Sequence, residues 1–131
     1  MSSKLDKILA EISAGELIDK ITILEIKKAK ILNKEKLVDI EKESASLNST
    51  MKKFIPDQSK ISKLIADLRE INFKLWDIED GKREAEKNKK FDAAFIKLAR
   101  NVYKINDERA KIKLEINNAL GSNIKEVKSY E

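Results

Sequence analysis

The chain has 131 residues, 39% of them charged and 41% hydrophobic, with three glycines, one proline and a net charge of +5. That composition suits long helices joined by short turns and argues against a sheet protein. Cysteine and histidine are both absent, which removes disulfides, thiol nucleophiles, histidine general bases and the usual zinc ligands.

The first apolar period predicts a short helix over residues 4–12. Ser13-Ala14-Gly15-Glu16 has the spacing of a capping box, in which Ser13 accepts from the Glu16 amide and the Glu16 carboxylate reaches back to the Ser13 amide. It predicts a long helix over about 14–32, with a stripe of Ala14, Leu17, Ile21, Leu24, Lys28 and Ile31. A second stripe, Leu37, Ile40, Ser44, Leu47, Met51 and Phe54, is out of phase with the first, so residues 33–35 are expected to form a turn between helices. The alternative is a kinked continuous helix. The second long helix runs over about 35–54. Pro56-Asp57 then ends it and starts the next, because proline is tolerated near a helix start.

The third helix, about 57–88, carries Ile61, Leu64, Leu68, Ile71, Leu75, Ile78 and Lys82 on one face. The fourth, about 92–119, repeats its apolar residues every three or four positions: Phe91, Phe95, Leu98, Val102, Ile105, Ile112 and Ile116. Arg109 interrupts that stripe. Asp92 suits the N-cap and Gly121 the C′ position, and residues 121–131 form a tail whose Val127 and Tyr130 could dock on the helices. The expected product is a single all-α domain over residues 1–131. It is an antiparallel bundle of two long helical hairpins, four long helices in all, with coiled-coil-like packing.

An arginine aimed at an apolar seam needs a partner, since an unpaired buried charge costs several kcal/mol. In a hairpin closed near Lys89-Lys90, Arg109 faces Ile71 and Asn72. The neighbouring faces bring Trp76 and Glu79 from the third helix toward Tyr103, Asn106 and Lys113 from the fourth, with Glu25 and Lys28 from the first. Asp19, Thr22 and Glu25 follow at spacing three beside the core stripe. Glu25 is expected to be at least half buried and paired with Arg109 or Lys113.

Two readings fit this set. One is a structural polar layer that fixes register, in which Arg109→Leu would be near neutral or stabilising. The other is a pocket for a small anionic ligand, with Arg109, Lys28 and Arg69 holding a carboxylate or phosphate, Asn72 and Asn106 orienting it, and Trp76 and Tyr103 as apolar walls. The adjacent acid pairs Glu79-Asp80 and Asp107-Glu108 point about 100° apart on a helix and make poor metal sites. No metal or cofactor is expected.

Four blocks resemble a known family: residues 12–27, Asn72 with Leu75-Trp76 and Ile78-Glu79-Asp80, residues 98–110, and Leu120-Gly121-Ser122 with Lys128-Ser129-Tyr130. Together they resemble an uncharacterised family of small bacterial and phage proteins known as a domain of unknown function. The resemblance covers nearly the whole chain and implies no activity. Some relatives are encoded beside surface-polysaccharide genes, which for this chain implies at most a loose link to that pathway. The Lys-, Ile- and Asn-rich composition fits an AT-rich genome. Separately, Leu68-Arg69-Glu70-Ile71-Asn72 is similar to the opening helix of the all-helical chorismate mutases. It departs from them at Asn72, where that family carries an acidic residue.

Charge is spread thinly, +2 over residues 1–55, +1 over 56–90 and +2 over 91–131, a pattern that argues against nucleic acid. There is no apolar run long enough to span a membrane and no signal-peptide core, so a cytoplasmic protein is expected. The leading expectation is a non-enzymatic helical interaction or structural module that self-associates or meets another protein. Val38, Ile65 and Tyr103 would supply the apolar contact. The alternative is a protein or enzyme acting on a sugar phosphate, a nucleotide sugar or chorismate.

Overall fold

A computed structural model describes residues 4–128. Its four α-helices are α1 (Ala14–Lys30), α2 (Lys34–Phe54), α3 (Ser62–Lys87) and α4 (Ala93–Leu120), with one 3₁₀ turn at Ser59–Ile61. The described residues contain no strand. The fold is an all-α helical bundle.

α1 sits at its centre and packs against each of the other three helices. Its composition explains the position: Leu17, Ile18, Ile21, Leu24 and Ile26 are all buried, and a helix apolar on most sides is stable only when covered on most sides. Leu17, Ile18 and Ile21 form the main core with Met51, Ile55, Ile61, Leu68 and Ile116. α3 and α4 pack along each other, whereas α2 approaches α1 alone. Only Ile40, Ser44 and Met51 are buried on α2, so it lies flanking the other three helices. Val38 stays exposed, while Ile65 packs against the core.

Residues 31–33 form a tight turn, and α1 and α2 make a hairpin. Asn33 caps α2 by accepting from the Lys36 amide at 3.1 Å. The third helix starts later than proline alone suggests. Asp57 Oδ1 accepts from the Ser59 amide at 3.0 Å and commits that stretch to a turn, so α3 begins at Ser62 behind the fully buried Ile61. At the other end, Asp92 accepts from the Phe95 amide at 3.2 Å as the cap of α4.

Two expectations at the ends of the chain are corrected. Residues 4–12 form no helix, and Leu5, Ile8 and Leu9 are at least 81% exposed. A segment of nine residues is too short to hold a helix unaided, and no other element covers its stripe. Val127 is 88% exposed rather than docked. Tyr130 lies outside the described residues.

α3 and α4 have 26 and 28 residues against the 17 of α1. From Phe73 to Ile112 no residue is fully buried. The outer halves of α3 and α4 therefore form a two-helix arm extending past the core. Its tip turns through Lys89, at φ 54°, and is closed by an edge-to-face contact of Phe91 and Phe95 with ring centroids 5.3 Å apart.

Candidate functional site

Where α1 crosses the base of the arm, Gly15, Asp19 and Thr22 lie at helical spacing on the face turned toward α3 and α4. Asp19 has no exposed surface. Arg109 grips its carboxylate with two donors: Nε reaches Oδ1 at 2.9 Å and Nη2 bonds to Oδ2. Asn72 donates to Asp19 Oδ1 and to Thr22 Oγ1, both at 2.8 Å. The Thr22 hydroxyl in turn donates to the Asp19 backbone carbonyl at 2.8 Å. Lys113 Nζ stands 3.7 Å from Asp19 Oδ2 and bonds to Glu16 and, at 3.3 Å, to Glu126. Among the described residues no buried side-chain donor or acceptor lacks a partner.

The electrostatics follow from that geometry. Burial alone would push the Asp19 carboxyl up. Hydrogen bonds from Arg109 and Asn72, with the charges of Arg109 and Lys113, outweigh burial and hold it below the ordinary carboxylate value. The hydrogen bond that Arg109 donates to Asp19 raises its guanidinium against the opposing pull of burial. For Lys113 burial pulls downward, but Glu16, Asp19 and Glu126 together raise it. A carboxylate held ionised with both oxygens occupied is poorly suited to accept a proton as a general base.

The same crossing completes the start of α1, whose first amides have no partner within the helix. Ala14 N–H donates to Ser122 Oγ at 3.1 Å, Gly15 N–H to Asn117 Oδ1 at 2.7 Å and Glu16 N–H to Ser13 Oγ at 3.1 Å. The fourth, Leu17 N–H, donates to the Ser13 carbonyl at 3.1 Å. The Ser13 half of the expected capping box is made. The reciprocal half is not, because Glu16 turns outward to Lys113 and Lys20. Gly15 is required by the close approach: a Cβ there would lie 2.5 Å from the Lys113 backbone oxygen. Gly121, at φ 63°, turns the chain after α4 and delivers Ser122 to the cap.

Arg109, Asn72 and Lys113 thus meet at one centre, with Asn106 Oδ1 at 3.5 Å from Arg109 Nη1. Glu25 does not join them. It is exposed and paired with Arg69, whose Nε lies 2.7 Å from Glu25 Oε2, because spacing three from Thr22 carries it around α1 to the outer side of α3. Asp19 takes the place expected for Glu25. Lys28 is drawn instead to Glu41 on α2 at 3.4 Å. Glu79 pairs with Lys82 at 3.6 Å along α3, and Tyr103 is 56% exposed on the arm. Trp76 is half-buried, and its indole N–H makes no hydrogen bond among the described residues.

An open groove of about 260 Å³ lies beside the centre, between Ile23 and Ile26 of α1 and Asn72, Trp76, Glu79 and Arg83 of α3, with Arg109 at its inner end. Among the described residues no cluster of three metal-ligating side chains occurs, and no helix is long and apolar enough to cross a membrane. Sequence reasoning left Asp19, Gly15, Asn117 and Ser122 out of the site. The available signal was Gly15, Asp19 and Thr22 at spacings four and three on a helix otherwise apolar on most sides.

No curated protein and no solved structure matches the chain. The model of a family of unknown function does, over residues 8–131, and that span takes in Ser13, Gly15, Asp19, Asn72, Arg109, Lys113, Asn117 and Ser122. The chain belongs to that family, DUF6165.

Proposed function

We propose that the protein is a non-enzymatic helical interaction module that works by self-association, and that its buried polar centre is structural. The observation that carries this reading is the closure of that centre. Arg109 is spent on Asp19, and Lys113 is shared among Asp19, Glu16 and Glu126. An anionic ligand would have to displace a buried carboxylate from a bidentate guanidinium, the strongest class of protein ion pair. The groove beside Trp76 offers Arg83 as a further cation, but Glu79 and Asp80 line it too and offset that charge. The arm supports the interaction half of the reading, since two packed helices alone leave their stripes half covered.

Sedimentation equilibrium at micromolar concentration tests the proposal. The expected mass is above the 15.0 kDa of one chain; a clean monomer overturns it. A thermal-shift screen with sugar phosphates, nucleotide sugars and chorismate addresses the competing anion site. A ligand at about 100 times its dissociation constant would add about 2.7 kcal/mol of apparent stability. No shift is expected.

A further inference from the structure

The arm is strongly polarised. Over residues 76–86, α3 carries five acids against two bases, and over residues 93–106 α4 carries three bases and no acid. These stretches lie side by side in the hairpin. Yet among the described residues no ion pair joins them; the one ion pair inside either stretch is Lys82–Glu79, within α3. Asp77, Asp80 and Glu84 are exposed along α3, and Lys97, Arg100 and Lys104 are exposed along α4. The two helices therefore present opposite charges outward rather than to each other. The arm also carries apolar surface that the chain leaves open: Ile96 and Tyr103 are more than half exposed, seven residues apart, on α4, and Trp76 on α3 is half-buried at the edge of the groove beside α1.

We propose that this arm is the surface on which two copies of the chain meet, with the two-fold axis running along the arm and both tips at the same end. The proposal rests on the self-association reading above. Symmetry decides the orientation. If the axis crossed the arm, α3 would face α3 of the other copy, acid against acid, and α4 would face α4, base against base. With the axis along the arm, α3 of each copy faces α4 of the other, and every rim meets its opposite charge. Two hairpins joined this way make a four-helix bundle and cover the stripes that each arm leaves half open.

The closing experiment uses four proteins, each of 131 residues. The wild type is expected to be a dimer by sedimentation. The triple variant Lys97→Glu, Arg100→Glu, Lys104→Glu alters only exposed positions and makes both helices acidic; its dimer should weaken by about tenfold or more. Adding Asp77→Lys, Asp80→Lys and Glu84→Lys to that chain swaps the two charges and should restore dimerisation. The fourth protein, Lys87→Cys, leaves those six charges in place and introduces the chain's sole thiol at the tip. A short bis-maleimide should join two copies of it, whereas arms about 20 Å long laid tip to base would hold the thiols too far apart. A monomeric wild type overturns the self-association reading itself. A dimeric wild type with an undiminished triple variant, or with Lys87→Cys that does not cross-link, overturns the arm interface alone.

Discussion

Asp19 has no exposed surface and is nonetheless held ionised by Arg109, Asn72 and Lys113. Removing its charge leaves a buried guanidinium without its partner, so Asp19→Asn is expected to destabilise the protein by about 3–5 kcal/mol in urea unfolding. The pH dependence has a definite sign. Because the folded carboxyl titrates below its unfolded value, its stabilising contribution is present above the unfolded value and is lost as pH falls through the folded one. The variant should lose that part of the acid dependence. For Arg109, the structure reverses the expectation drawn from the stripe. Arg109→Leu strands Asp19 and should cost about 3 kcal/mol, with Lys113 and Asn72 remaining as partial support. Only the joint replacement Asp19→Leu, Arg109→Leu should approach neutrality, a coupling that a double-mutant cycle measures.

At the level of the elements, the contact of α1 with α4 depends on one missing side chain. Gly15→Ala would place a Cβ against rigid backbone, so α1 must retreat, and calorimetry should show a loss of about 1–3 kcal/mol. Asn117→Ala should fall in the same range, because the buried Gly15 amide loses its acceptor. The four long helices were legible because their apolar spacing and the caps at Ser13 and Asp92 are local signals. Arg109, Asn72 and Lys113 were legible as a group through hairpin register. Asp19 and Glu25 were not separable, since they flank Thr22 at spacing three on either side and only the crossing angle of α1 decides which turns inward. The segment over 4–12 has a helical period with nothing to pack on, which no local pattern reveals.

The whole molecule divides into a dense base and a thinly covered arm. Buried side chains concentrate where α1 meets α3 and α4, and none is fully buried between Phe73 and Ile112. Local opening follows the density of buried contacts. Hydrogen exchange in dilute protein should therefore be slowest over residues 17–26 and faster over 80–98. Protection in the arm should rise with protein concentration, whereas that in α1 should not. Uniform protection along the chain, or an arm indifferent to concentration, would contradict the division.

The caps on the first turn of α1 come from Asn117 and Ser122, 102 and 108 positions further along the chain, and the guanidinium for Asp19 from 90 positions away. During synthesis, then, α1 leaves the ribosome long before the groups that finish it. It waits with open amides and an unanswered carboxylate while α2 and α3 emerge. Contacts this distant close late and slowly, so the bundle's centre is the last part of the nascent chain able to assemble.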